Sequence, residues 1–234
     1  MNIIVCIKRV PLTQEVDLEI DDTGKKIKED ALAYVINDWD NYAIEAAVQL
    51  QEALGGDVTA VTIGCEDDEE VLRRALAMGA DRAIRIDPGN LTPDGYLNAR
   101  ILAKSISELD YDLILTGVQS EDQNTGMVGI MLAEQLGLAH AAITNGLEPD
   151  DGAAKVRVEL EGGIDEVSRV QLPALLTIQT GINEPRYVSI MGIRKAKKKF
   201  RRPFCAEEKP RSPVFEQESR LEKPLPTAPP MRGI

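Results

Sequence analysis

Few features of a secreted, membrane-bound or nucleic-acid-binding protein occur in this sequence of 234 residues. Its three cysteines, Cys6, Cys65 and Cys205, are widely separated and odd in number, which suits a reducing compartment and predicts neither disulfides nor a metal site. Aromatic residues make up only 4%, too few for a platform that stacks single-stranded bases. No apolar run approaches the ~20 residues of a membrane span, and the N-terminus becomes charged too early for a signal peptide. We therefore expect a cytoplasmic protein without direct membrane insertion.

Signals for bond-making catalysis are also scarce. The single histidine, His140, lies between apolar neighbours at the start of a short predicted strand, as is typical of a core or strand-edge residue. The motifs GxSxG, HExxH, CxxC and GxxxxGK[ST] are absent. The acidic run at 66–70 suits a solvated first helical turn, where the helix dipole favours carboxylates. We predict no catalytic residue.

Charge is distributed unevenly along the chain. The formal net charge is −12, but seven basic residues lie between 194 and 202, so the remainder carries −12 − 7 = −19. This acidity excludes general nucleic-acid binding. An apolar strip precedes the basic run: Val188, Ile190, Met191 and Ile193. The pattern fits a solvated helix end, a membrane-surface patch or a docking site. The acidic remainder disfavours anionic membranes, and an apolar anchor with a charged rim favours docking.

Strands and helices alternate through the first two thirds of the chain. This order predicts an α/β fold with an open, mostly parallel twisted sheet and helices on both faces. The predicted strands are 3–7, 57–64, 82–86 and 112–117, and the predicted helices are about 37–54, 67–78, 92–109 and 126–136. Asn37 or Asp38 is expected to cap the first helix, Asp67 and Glu70 form an expected capping box, and Thr92–Pro93 predicts the third helix start.

Outside this alternating body the pattern changes. A polar stretch at 11–36 carries a predicted hairpin turn at 22–24. After Gly146, two alternating strands predict an antiparallel hairpin at about 155–170, turning at Gly162–Gly163. One more apolar strand is predicted at 174–179. We expect residues 1–202 to form one domain and the proline- and charge-rich residues 203–234 to form an extended tail.

The predicted sheet indicates where a ligand would bind. In open α/β sheets, ligands lie beyond the carboxyl ends of the strands. The loops at that edge are the one with Cys6, Lys8 and Arg9, the helix start at 37–40, and the polar loop 117–129. Amides at the start of the following helix could hold a phosphate. An ordinary capped loop is the competing interpretation, and a GxGxxG dinucleotide motif is absent.

These segments resemble the beta subunit of electron transfer flavoproteins, from residue 2 to about 199. The resemblance is carried by CIKRVP (6–11), NDWDNYAIEAAVQL (37–50), RALAMGADRAIRI (74–86), DLILTGVQSEDQNTGMVG (112–129), ELEGGIDEV (159–167), LPALLTIQTGINEPRY (172–187) and KAKKK (195–199). It implies a Rossmann-like, adenine-nucleotide-binding domain that pairs with an alpha subunit. The pair would share a redox-active FAD, and the beta subunit would bind AMP or, in electron-bifurcating forms that oxidise NADH, a second FAD.

The resemblance also implies two sets of site residues. The cofactor contacts carried over by position are Cys6, Asn37, Asp38, Trp39, Asp40, Ile63, Gly117, Val118, Gln119, Ser120, Glu121, Asp122, Gln123, Asn124, Thr125, Gly126, Met127 and Val128. A recognition loop at about 183–199 would dock on dehydrogenases, such as acyl-CoA dehydrogenases, through Tyr187, Ile190, Met191, Ile193, Lys195 and Lys198. Electrons would pass on to a quinone-linked or other acceptor, and the tail at 203–234 would dock on the alpha subunit.

The sequence departs from the usual family pattern at Asp122–Gln123–Asn124, at Met127 and at Ile190. The first two departures leave AMP and FAD both open, and the third leaves the partner dehydrogenase open. Three interpretations of function therefore remain: an electron shuttle, a bifurcating flavoprotein, and a nucleotide-binding stress-type sensor without redox partners.

Overall fold

The computed structural model describes residues 1–13, 18–24, 27–28, 32–89, 91 and 94–196. In this part of the chain the strands, in chain order, are β1 Ile3–Cys6, β2 Arg9–Pro11, β3 Tyr34–Ile36, β4 Val58–Ile63, β5 Arg82–Ile86, β6 Leu113–Gly117, β7 Ala139–Thr144, β8 Gly146–Asp150, β9 Ala153–Leu160, β10 Ile164–Gln171 and β11 Ala174–Ile178. The helices are α1 Asp38–Leu54, α2 Glu69–Met78, α3 Gly95–Ile106, α4 Val128–Leu136 and α5 Ile190–Ala196.

The centre of the fold is a six-stranded parallel sheet in the order β5-β4-β1-β6-β11-β7. Helices α1 and α2 cover one face, where Ile44 and Leu72 join Ile3 in one buried cluster. Helices α3 and α4 cover the other face, where Leu102 and Leu132 belong to a second cluster. Burial of both faces explains why the strands are continuously apolar rather than alternating. The predicted α/β architecture is confirmed.

Strand β1 lies at the point where the sheet reverses its winding direction. The chain leaves β1, crosses through α1 to β4 on one side, and returns through α3 to β6 on the other side. The loops after β1 and β6 therefore diverge and leave a crevice at the carboxyl edge, which is the general ligand position in open α/β sheets.

The start of α2 differs from the prediction. Asp67 and Glu70 do not form the capping box. A short 3-10 turn at Glu66–Asp68 comes first, and the Asp68 carboxylate accepts the backbone N–H of Cys65 at 2.8 Å. Helix α2 consequently begins at Glu69. The 3-10 turn places Asp68, rather than Glu70, where its side chain can reach the backbone of Cys65. Hydrophobic periodicity does not indicate such a turn.

Helix α3 starts with a different cap from the one expected. Its cap is Asp94, whose carboxylate accepts the N–H of Leu97 at 2.8 Å. The expected start at Thr92–Pro93 lies outside the described residues. The helix ends at Ile106, three residues before the predicted end.

Small antiparallel elements accompany the central sheet. Strands β10, β9 and β8 form a three-stranded sheet in that order, in which β9 and β10 turn at Gly162–Gly163. The predicted hairpin is thus present, and β8 was not predicted. Strands β2 and β3 also pair in antiparallel orientation. The predicted turn at 22–24 lies between Ile20 and Ile27, which form an isolated antiparallel bridge. The tail at 203–234 lies outside the described residues.

Within the described ranges, no helix combines the length and the apolar character needed to cross a membrane.

The packing of α4 on the sheet predicts a strong effect of one added methyl group. A Cβ at Gly129 would lie 2.5 Å from Thr116 Oγ1 and 2.6 Å from Thr177 Cγ2. We expect Gly129→Ala to lower the free energy of unfolding by about 1–3 kcal/mol in urea denaturation, because overpacking forces the helix away from the strands. Gly192→Ala is the control, since its nearest heavy atom lies at 3.5 Å; equal effects of the two substitutions would contradict this packing.

Candidate functional site

A cleft opens at the carboxyl ends of β1, β4 and β6 and extends to the start of α4. Its empty space, together with the open solvent at its mouth, amounts to about 760 Å³. Thirteen of the predicted cofactor residues line it: Cys6, Asn37, Asp40, Ile63, Gly117, Val118, Gln119, Ser120, Gln123, Thr125, Gly126, Met127 and Val128. The loops that the sequence predicts to meet at this edge do meet there.

Asp40 ties the first loop to the end of β6. One carboxylate oxygen accepts the backbone N–H of Lys8 at 2.8 Å, and the other accepts that of Gly117 at 3.0 Å. The side chain approaches so closely that a Cβ at Gly117 would lie 2.4 Å from it, which explains the glycine. Burial raises the pKa of Asp40 to about 7, against the lowering effect of these hydrogen bonds.

Asn37 fixes the polar loop from the same end of α1. Its side-chain amide donates to the Gln119 carbonyl at 2.8 Å, and its side-chain oxygen accepts the N–H of Glu121 at 3.0 Å. Asn37 and Asp40 are three residues apart and therefore share one side of the helix start. Both residues line the cleft, and both also hold its walls together through hydrogen bonds to backbone groups.

The polar loop enters α4 through residues in the left-handed region. Asn124 has φ +51° and Gly126 has φ +62°, so the chain cannot be helical there, and α4 begins at Val128 rather than at 126 as predicted. No described side chain caps this helix. Its first amides lack intrahelical acceptors and lie where Met127, Val128 and Gly129 line the cleft. This arrangement suits an anion.

Lys8 supplies a cation at the cleft. Its ammonium donates to the two Asp122 carboxylate oxygens at 2.6 and 2.7 Å and to Ser120 Oγ at 3.3 Å. Partial burial raises the pKa of Asp122, but the hydrogen bonds from Lys8 and Ser120 outweigh it and the net pKa is lowered. Glu121 has a raised pKa because of partial burial and of nearby Asp38 and Asp122.

Five predicted cofactor residues do not line the cleft: Asp38, Trp39, Glu121, Asp122 and Asn124. The indole N–H of Trp39 donates to the Gln179 side chain at 2.8 Å, beyond the end of β11. The cofactor contacts implied by the family resemblance also omit several residues that line the cleft. These are Ile7, Lys8, Val61, Thr62, Asn98, Leu102, Thr116 and Gly129. Asn98 and Leu102 are four residues apart on α3, a helical spacing that would have placed them together.

The chemistry of Cys6 is set by its burial. Burial and the Asp40 charge both raise the pKa of its thiol, so the protonated form is the one present at neutral pH. A protonated thiol is a poor nucleophile, and Cys6 contributes an apolar wall to the cleft.

The predicted recognition loop contains a helix. Helix α5 occupies 190–196 and packs against α2, with Ala196 buried. Ile190 and Lys195 belong to this helix, whereas Lys198 lies outside the described residues. The side chain of Tyr187 is 91% exposed and that of Met191 is 68% exposed. The apolar strip is not uniformly exposed, because Val188 packs against the core and Ile193 is half-buried.

Comparison with known proteins identifies the family. The electron transfer flavoprotein domain matches residues 25–202. The electron transfer flavoprotein subunit beta of Bacillus subtilis (strain 168) is 41% identical over 201 residues, covering 85% of this chain and 77% of that protein. The human subunit beta is 35% identical over 204 residues, covering 85% and 79%. The caffeyl-CoA reductase-Etf complex subunit CarD of Acetobacterium woodii is 37% identical over 199 residues, covering 84% and 75%.

A six-stranded parallel sheet with helices on both faces and a cleft at its switch point defines the chain as an open-sheet α/β protein. The chain belongs to the electron transfer flavoprotein family, and its resemblance to the beta subunits of that family is confirmed.

The buried carboxyl group of Asp40 predicts a pH dependence. Because its pKa is about 7 in the folded protein and about 3.8 without the fold, the folded state retains this proton while the unfolded state releases it. Stability from Asp40 is therefore greatest below about pH 4 and is lost as the pH rises to about 7. In urea denaturation we expect the unfolding free energy of the wild type, relative to Asp40→Asn, to fall over this range and level off above it. A difference that does not vary with pH would contradict the assignment.

Proposed function

We propose that this chain is the beta subunit of a heterodimeric electron transfer flavoprotein and that its cleft binds AMP. The proposal rests on the family and on one observation: an uncapped helix start, a lysine and an apolar wall meet in a single cleft. The relatives named subunit beta support pairing with an alpha subunit. The same pairing supports an FAD shared between the two chains.

The lining fits the two ends of an adenylate. Cys6, Val61, Ile63 and Leu102 offer apolar side chains to a purine ring. The first amides of α4 and the ammonium of Lys8 offer donors to a phosphate. A phosphate would compete with Asp122 for Lys8, because the two anions need the same donors. We place the nucleotide with its base against the apolar wall and its phosphate at the start of α4.

The contribution of this chain to electron transfer is positioning. The shared FAD would supply the redox chemistry, and the protein would supply orientation, electrostatics and access. Asn37 and Asp40 hold the cleft in shape, and the exposed Tyr187 and Met191 offer an apolar surface to a dehydrogenase. We propose acyl-CoA dehydrogenases as donors and a quinone-linked carrier as acceptor.

A second candidate is an electron-bifurcating flavoprotein whose beta subunit binds FAD and oxidises NADH. The observation that favours it is the 37% identity to CarD, a subunit of a caffeyl-CoA reductase-Etf complex. The 37% identity to CarD lies between the identities to the human and Bacillus subtilis beta subunits, 35% and 41%, so sequence identity does not separate the two functions. Gln123 and Met127 line the cleft at positions where the sequence departs from the usual pattern, so these two residues do not discriminate between AMP and FAD.

The nucleotide content distinguishes these functions. We expect acid extraction of the purified heterodimer to release one FAD and one AMP, quantified by chromatography. Two FAD molecules and no AMP would establish the bifurcating form instead. A heterodimer that releases no adenine compound would contradict the proposed function, and colourless protein with a bound nucleotide would favour the sensor.

The docking surface predicts a selective kinetic defect. Met191→Ala removes exposed apolar area, so we expect the KM of an acyl-CoA dehydrogenase for the heterodimer to rise about 3–10-fold, the range expected for ~1 kcal/mol of lost contact. Flavin and AMP content should not change. The control is Leu54→Ala, which truncates another exposed apolar side chain at the end of α1. Equal KM values for wild type and Met191→Ala would rule out this surface.

A further inference from the structure

We propose that Arg186 is a positioning residue that holds the docking segment, residues 187–193, on helix α1 through ion pairs with Glu45 and Glu52. This inference rests on the proposed docking of Tyr187 and Met191.

The contacts of Arg186 use most of its donors. Its Nε donates to Glu45 Oε2 at 2.8 Å and its Nη2 to Glu45 Oε1 at 3.1 Å. Nη1 and Nη2 also donate to the two oxygens of Glu52 at 2.8 and 3.2 Å. The backbone N–H of Arg186 adds a bond of 3.2 Å to Glu45. The two glutamates are seven residues apart, two helical turns, and so share one face of α1.

The two glutamates have different surroundings. Glu45 is 3% exposed, and its carboxylate also accepts a hydrogen bond from Gln49 at 2.9 Å. Burial raises the pKa of Glu45, but the hydrogen bonds and charge of Arg186 outweigh it, and the net pKa is lowered. A buried carboxylate depends on its partner. Glu52 has a side chain that is 56% exposed, so its removal leaves no buried charge unpaired.

The docking segment is held at both of its ends. Before it, Asn183 donates to the Tyr42 carbonyl at 3.0 Å, and Arg186 binds the same helix. At its other end, the segment runs into helix α5, which packs on α2 and ends at buried Ala196. Between these attachments Tyr187 and Met191 remain exposed. A segment fixed in this way loses little conformational entropy when a partner binds.

The geometry requires the planar fork of arginine. Arg186 binds two carboxylates at once with bonds from both edges of its guanidinium, whereas a lysine ammonium is a compact charge without that fork. Arg186→Lys therefore keeps the charge and loses the geometry. Glu52→Gln keeps the buried Glu45 pair and weakens only the outer half of the interaction.

Hydrogen exchange on the heterodimer tests the inference. We expect the amides of residues 187–193 to exchange about 3–10-fold faster in Glu52→Gln and faster still in Arg186→Lys. Amide exchange in β1 and β6 should not change, and the AMP content should not change either. Glu148→Gln is the matched control, because it removes another exposed ion pair, with Lys155. Unchanged exchange of the segment in both variants would overturn the inference. If Arg186→Lys fails to fold, Glu52→Gln alone decides it.

Kinetics with an acyl-CoA dehydrogenase separate this inference from the docking proposal. Loss of positioning should raise the KM for the heterodimer about 3-fold in Glu52→Gln while kcat stays constant. If Met191→Ala raises the KM but neither Arg186→Lys nor Glu52→Gln does, docking stands and positioning by Arg186 is wrong. If Met191→Ala has no effect, the docking proposal fails, and accelerated exchange would then show only that Arg186 orders the segment.

Discussion

The hydrogen bonds made by Asn37 and Asp40 at the start of α1 are the constraint on which the cleft depends. They bind backbone groups of two loops that diverge from the switch point of the sheet. Without them the N–H groups of Lys8 and Gly117 would lose their acceptor in a partly buried place, at a cost of up to about 1 kcal/mol each. Burying the Asp40 carboxylate is also costly, as its raised pKa shows. This cost falls at the wall of the cleft, which Asp40 lines.

Helix α1 connects the cleft to the docking segment. Its first turn holds the cleft loops, and Glu45 and Glu52 further along it hold Arg186. At 1.5 Å per residue its 17 residues span about 25 Å. Because one helix carries both sets of contacts, the cleft and the docking segment have a fixed relation. Such a relation suits the proposed role of positioning a cofactor relative to a partner.

The sequence predicts the parts of this structure that depend on continuous burial. Apolar runs identified β1, β4, β5 and β6, and the rule for ligands in open sheets identified the cleft loops. Short elements outside the predicted strand-helix alternation were missed, namely β2, β3, β8 and α5. The insertion of β11 between β6 and β7 is a tertiary arrangement that no local pattern encodes. Motif resemblance indicated Asp40 as a ligand contact, but its hydrogen bonds to two loop backbones became visible only in three dimensions.

A structure of the purified heterodimer with the nucleotide it retains would show whether the cleft holds an adenylate. We expect an adenylate in the cleft, with its base near Ile63, phosphate oxygens within hydrogen-bonding distance of the first amides of α4, and the Asp40 bonds to Lys8 and Gly117 intact. An adenylate bound elsewhere in this chain, or a cleft closed by its own side chains, would contradict it.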